Sequence, residues 1–261
     1  MTDKIIVEQS GNIARIIFNQ PEKRNAVSLE MWEAVEAAAA RFAKDDSVRI
    51  LVLSGAGGKA FVSGADISKF ETERASVEAV AQYNAATKRV YDSIEAFPKP
   101  TIAQIDGYCI GGGVALSLSC DLRICGEKSQ FAVPAAKLGL GYGYEGISRL
   151  ANVVGPAFAK EIFFTARRFT STEAKDMGLV NRVVPDDQVA TVVEETAQMI
   201  AANAPMTVDS VKYIVSQIVA PESETNLEEC ARRVQACFES EDYKEGRKAF
   251  MEKRKPNFVG A

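Results

Sequence analysis

The chain has 261 residues, 47% of them hydrophobic and 25% charged, which excludes a disordered or low-complexity protein and allows one large domain with or without an appendage. A net charge of −4, with acidic and basic residues interleaved, gives no electrostatic case for nucleic acid or an anionic membrane as main partner. Histidine is absent, which removes Ser-His and Cys-His pairs and the commonest acid/base at neutral pH.

In chain order, "IIVEQS" and "IARIIF" predict two strands, followed by a helix capped by Ser28, with Met31, Trp32, Val35, Ala39 and Phe42 at helical spacing. The run "RILVLSG" predicts a strand. A second helix is expected over residues 76–97, with Val80, Val90, Tyr91 and Ile94 on its apolar period, and "PKP" stops it before the strand "TIAQIDG". The triplet Gly111–Gly113 opens a short helix, and "DLRICG" and "QFAVP" follow as strands. Thr170 and Glu173 form a capping-box signature for a helix ending near Gly178, before a strand from Leu179 to Val184. Beyond Pro185 the pattern is helical, broken at 204–207 and 220–224. The expected organisation is an α/β core over residues 1–197 and a helical region over 198–261.

Cys109, Cys120, Cys125, Cys230 and Cys237 form no CxxC pair and are odd in number, as expected of reduced thiols in the cytosol, and no metal site is expected. No run reaches the roughly 20 apolar residues of a membrane span. The opening "MTDKIIVEQS" puts Asp3 and Lys4 where a signal peptide needs apolar residues, so the expected location is cytoplasmic.

The unit "TIAQIDGYCIGGGVALSLSCD" aims a helix N-terminus at whatever lies beside Gly111–Gly113, and free N–H groups there favour an anion or a developing negative charge. A tight turn accounts for three glycines equally well. The stretch lacks the GK[ST] of a phosphate-binding P-loop and the acidic residue of a dinucleotide fingerprint. A second small-residue loop, "GGKAFVSGADI", could join it as a two-donor oxyanion hole. Near the end, "KEGRKAFMEKRK" (residues 244–255) carries six Lys/Arg against two Glu, a pattern of a solvated helix face or of a phosphate contact.

Taken together, "NQPEKRNAVS", "FVSGADIS", "IDGYCIGGGVALSLSCDLRI", "FAVPAAKLGL", "AKDMGLVNRVV" and "FMEKRKPNF" resemble, in order and spacing, the crotonase (enoyl-CoA hydratase/isomerase) superfamily from about residue 5 to residue 258. The resemblance implies a spiral of ββα turns with a C-terminal helical trimerisation region, in homotrimers or hexamers built as dimers of trimers. It implies an acyl-CoA thioester as substrate, with coenzyme A as part of that substrate and no permanently bound cofactor. By family pattern the thioester oxygen is held by the N–H groups of Ala65 and Gly112. Ser63, Asp66 and Ile67 then lie along the CoA, Lys23 and Arg24 near its nucleotide part, and Phe250 and Lys253 reach CoA from the tail, on the same or a neighbouring subunit.

Hydratases of the family carry one glutamate two residues after the glycine triplet and a second after the proline of "FxxPE". Here those positions are Ala115 and Ala135. Alanine can neither activate water nor deliver a proton, so hydration by that route is not expected. Decarboxylation of a carboxyacyl-CoA needs only the oxyanion hole, and the loop "LGLGYGYEG" resembles methylmalonyl-CoA decarboxylase-like members in placing Tyr142. That phenol either orients a substrate carboxylate or packs over the acyl pocket. Glu145 is either a helix N-terminal or salt-bridging charge, or a displaced acid/base for an enoyl-CoA hydratase or isomerase. A third reading is a non-catalytic CoA-binding scaffold.

Overall fold

The computed structural model describes residues 2–66, Lys69 and 76–261. Ile67 lies outside the described residues. The predicted hairpin forms as β1 (Ile5–Ser10) and β2 (Ile13–Phe18), antiparallel with Ile5 opposite Phe18. Helix α1 (Leu29–Ala43) follows Ser28, which is extended as an N-cap should be but makes no side-chain cap bond. Met31, Trp32, Val35, Ala39 and Phe42 are all buried, as their spacing requires.

From β3 onward the chain repeats one unit. Each turn gives a strand to a large sheet, a short strand to a small sheet, and a helix. The first unit is β3 (Ile50–Gly55), β4 (Ala60–Val62) and α2 (Val77–Glu95); the second is β5 (Thr101–Ile105), β6 (Tyr108–Ile110) and α3 (Gly112–Leu118). The third is β7 (Leu122–Gly126), β8 (Gln130–Ala132) and α4 (Tyr144–Thr165). After β9 (Phe169–Thr170) and α5 (Ser171–Asp176), β10 (Arg182–Val184) returns to the large sheet. The sheets run β1-β2-β3-β5-β7-β10, parallel from β2 onward, and β4-β6-β8-β9. This is the ββα spiral that the resemblance implies.

Strand β3 is buried on both faces, hence its unbroken apolar run. Leu51 and Leu53 face a core shared with Phe18, Trp32, Phe61 and Phe131, whereas Ile50 and Val52 face α6 (Val189–Ala201) through Val189, Val193 and Ala197. Ile200 and Ala201 continue this packing, so the expected boundary at 197 falls inside a helix that belongs to the sheet. The capping box on Thr170 is present, with Glu173 N–H to Thr170 Oγ1 at 3.2 Å and Thr170 N–H to Glu173 Oε2 at 2.7 Å.

Three expectations needed correction. Strand β4 lies inside the stretch expected as a loop, and β6 is a further strand after "TIAQIDG" that was not expected, because three-residue strands carry no periodicity. The strand expected from Leu179 begins at Arg182, since Leu179 and Val180 are buried in the turn, with both N–H groups bonded to Ala174 O. The C-terminal region, α7 (Pro205–Val219), α8 (Leu227–Glu239) and α9 (Glu241–Glu252), has an additional break at Ser240, whose hydroxyl caps α9 by accepting from Tyr243 N–H.

Candidate active site

Strands β4 and β6 pair in parallel, so the loops leaving them emerge at the same end of the small sheet. After β4, Val27 N–H bonds Gly64 O at 2.8 Å and Asp66 N–H bonds Val27 O at 3.0 Å. Because Val27 engages the residues flanking Ala65, the N–H of Ala65 points to the opposite side. It donates to no acceptor among the described residues. After β6, Gly111 has φ 55° and ψ −110°, a backbone state that a side chain would strain, and its N–H bonds Ala132 O at 2.8 Å. Gly112 then begins α3 with its N–H unbonded among the described residues, as a first-turn amide must be.

Gly113 explains the third glycine. A Cβ there would sit 2.1 Å from Val62 O, so this residue lets the two loops touch. Beneath them lies a buried scaffold that the motifs did not single out. Trp32 Nε1–H donates to Tyr83 Oη at 3.0 Å, and Tyr83 O–H donates to Val27 O at 3.2 Å. Tyr91, edge-on to Trp32 at 5.5 Å, donates to Gly112 O at 3.2 Å. Asn25, fully buried at φ 55°, accepts from Gln20 N–H and donates to Ala56 O and Ala60 O. An isolated aromatic or Asn has no sequence signal of this kind; only the fold brings Tyr83 to Val27, Tyr91 to Gly112 and Asn25 to the turn before β4.

Several predicted residues gather here. Ser63 Oγ–H reaches Lys23 O at 3.4 Å, and Lys23 Nζ pairs with the buried Asp66 carboxylate at 2.8 Å. Arg24 turns along the sheet instead, with its guanidinium over the Tyr108 ring at 5.0 Å and Arg168 near the same ring at 5.2 Å. Tyr108 therefore lies between two arginines, half-exposed. Ala115 is half-buried on α3 and Ala135 is buried in the 3-10 turn Pro134–Leu138. Tyr142 is half-buried and packs edge-on against Phe163 at 5.0 Å. Glu145 is exposed in the first turn of α4, the place of a helix N-terminal charge, and makes no ion pair among the described residues.

Phe250 lies in the last turn of α9 and Lys253 at its C-terminal cap. Phe250 is 82% exposed at the edge of a cavity of about 960 Å³ between α7, α8 and α9, none of whose lining residues belongs to either glycine loop. The thiols near the site are buried; burial pushes Cys120 and Cys125 up to about 12 and raises Cys109 also, so none is a thiolate at neutral pH. No described helix is long and apolar enough to cross a membrane.

The family model for enoyl-CoA hydratase/isomerase matches residues 8–261. The chain belongs to the enoyl-CoA hydratase/isomerase family. As a member it is an enzyme of the crotonase superfamily, and the comparisons agree over its whole length. It is 33% identical over 253 residues to a short-chain-enoyl-CoA hydratase of Clostridium acetobutylicum, covering 97% of this chain and 96% of that one. It is also 33% identical to a crotonyl-CoA hydratase of Syntrophomonas wolfei, with 98% of each covered. Among solved structures, an enoyl-CoA hydratase/carnithine racemase from Magnetospirillum magneticum superposes with a TM-score of 0.93 at 37% identity, covering 100% of this chain and 97% of that one.

Proposed function

We propose that this enzyme binds an acyl-CoA thioester, holds the thioester oxygen between the N–H groups of Ala65 and Gly112, and stabilises an enolate there. The support is geometric: two unbonded amides at the ends of paired strands, held by backbone contacts at Val27 and Gly113. Each such donor is worth about 3 kcal/mol to an oxyanion in a site closed to water. Lys23, Arg24, Ser63, Asp66 and Ile67 belong to the CoA-binding side in this reading. Phe250 and Lys253 join them from a neighbouring copy, in a homotrimer or a hexamer assembled through residues 198–261. Support for that assembly comes from exposed apolar residues on these helices, among them Ile218, Leu227, Phe250 and Met251.

The reaction we favour is loss of CO2 from a carboxyacyl-CoA, as in methylmalonyl-CoA decarboxylase-like members. The observation that carries it is the pair Ala115 and Ala135, two apolar positions where hydration would need carboxylates. Breaking the bond between the α-carbon and the carboxylate leaves its electron pair on the thioester as an enolate; a proton from solvent then reaches the α-carbon. No protein base is needed. A carboxylate about 4 Å from the substrate carboxylate would oppose binding by roughly 4 kcal/mol at an effective dielectric near 20. Tyr142 orients the substrate carboxylate through its hydroxyl. Incubation with a panel of carboxyacyl-CoAs including methylmalonyl-CoA, with mass analysis of the thioester, is expected to show CO2 loss. Absence of turnover across the panel rejects this reaction.

A second reading, hydration of an enoyl-CoA, is favoured by the hydratases among the relatives. Glu145 is then the acid/base. It requires crotonyl-CoA hydration that collapses in Glu145→Gln.

A further inference from the structure

Arg123 lies on β7 with 6% exposure, and its guanidinium faces main-chain oxygens rather than a carboxylate. Its Nε donates to Leu179 O at 2.7 Å, and its Nη1 to Cys120 O at 2.7 Å and Ser117 O at 3.1 Å. The neighbouring carboxylate, Asp121, is engaged elsewhere, accepting from Thr101 N–H and Oγ1–H and from Lys212 Nζ. Asn181 locks the backbone of Arg123 from both sides, with bonds of 2.8 and 2.9 Å. A buried full charge is costly unless it is matched, and here the match is the negative end of α3.

That helix has seven residues, too few to hold its own shape or direction. Its course is set by the packing of its buried face, through Val114, Leu116 and Leu118, and by whatever grips its two ends. Ser117 lies in its last turn and Cys120 just beyond it, so the fork of Arg123 fixes the C-terminal end. At the other end, about 10 Å away at 1.5 Å per residue, is Gly112. We infer that Arg123 is a positioning residue of the active site: by gripping the C-terminal end of α3 it sets the direction in which the Gly112 N–H points. This rests on the assignment of Gly112 as an oxyanion donor.

The test uses the full-length protein and [1-13C]butyryl-CoA, a saturated thioester with no leaving group on its acyl chain. Infrared difference spectra read the thioester carbonyl, whose stretch falls in frequency when the oxygen is held by strong donors. In the wild type the bound carbonyl is expected to shift down from its value in water. In Arg123→Met at least half of that shift is expected to be lost, while Kd for butyryl-CoA changes by less than about threefold. A merely structural role predicts fewer folded molecules with an unaltered carbonyl frequency. Arg123→Lys retains the charge without the planar fork, and is expected to keep only part of the shift. Should Arg123→Met fail to fold, a full wild-type shift in folded Arg123→Lys overturns the inference. A wild-type carbonyl without any shift overturns the oxyanion assignment, and this inference with it; a shift that persists unchanged in both variants sinks only the role of Arg123.

Discussion

Gly113→Ala tests the contact on which the two-loop site depends. The new Cβ would lie 2.1 Å from Val62 O, 3.0 Å from Val62 C and 3.1 Å from Val62 Cβ, all in the strand that leads to Ala65. The nearest of these is about 0.9 Å inside the closest approach that a Cβ tolerates, and the neighbour is backbone, so the loops must part by roughly 1 Å. A displacement of that size between catalytic donors costs about 100-fold in rate, and overpacking costs ~1–3 kcal/mol in stability. Gly112→Ala is the matched control: its Cβ meets Tyr91 Oη at 3.2 Å, a contact a side chain can relieve. Turnover of the thioester that the wild type processes, together with urea unfolding, measures both effects. Gly113→Ala is expected to lose about 100-fold in kcat/KM, and Gly112→Ala no more than about tenfold. Wild-type kcat/KM in Gly113→Ala would refute the coupling of the two loops.

Asn25→Ala leaves Ala56 O, Ala60 O and Gln20 N–H without their partner in a buried turn, and is expected to destabilise by ~2–4 kcal/mol in urea unfolding. Tyr142→Phe keeps the ring that packs on Phe163 and removes only the hydroxyl, and CO2 release is expected to slow about tenfold; an unchanged kcat rejects the hydroxyl's role. Hydrogen bonds from Arg232 and Arg254 lower Glu229 and Glu245, respectively, from 4.5 to about 2. Both folded values lie below the ordinary one, so these pairs support α8 and α9 above pH 4.5, and the support is lost as pH falls toward 2. Helical circular dichroism across that window is expected to show the loss, with a smaller change at high salt because both carboxylates are only half-buried and remain open to screening.

Long elements were legible because burial imposes a period on them. The face of α1 is readable from Met31, Trp32, Val35 and Phe42, and β3 from its unbroken apolar run. The spiral itself was not readable as a repeat, since the second strand of each turn spans three residues and its register depends on neighbours far along the chain. The same distinction divides the site. Gly113 marks a close approach and Gly64 and Gly111 a positive φ, but the sequence does not say which is which, since that depends on Val62 and Val27 across the fold. Tyr83 and Tyr91 support the residues beside the loops, Asn25 the turn before β4 and Arg123 the far end of α3, yet each is one polar group whose partners are carbonyls, hydroxyls or amides of other elements. Such a group leaves no pattern along the chain.

The donors proposed for this site are main-chain amides, whereas the groups that would decide the reaction are side chains at other positions. Ala65 and Gly112 are oriented by Val27, by the glycine contacts and by buried partners behind them, none of which involves position 115 or 135 through a side chain. A change at those two positions can therefore remove or restore a carboxylate while the thioester-binding geometry stays in place. On the proposed reading, this separation lets a chain 33% identical to enoyl-CoA hydratases over nearly its whole length carry alanine at 115 and 135 without loss of the fold. Overall similarity follows the residues that build the spiral and the loops, which outnumber the reacting side chains by far; the reaction must accordingly be read from Ala115, Ala135, Tyr142 and Glu145 themselves.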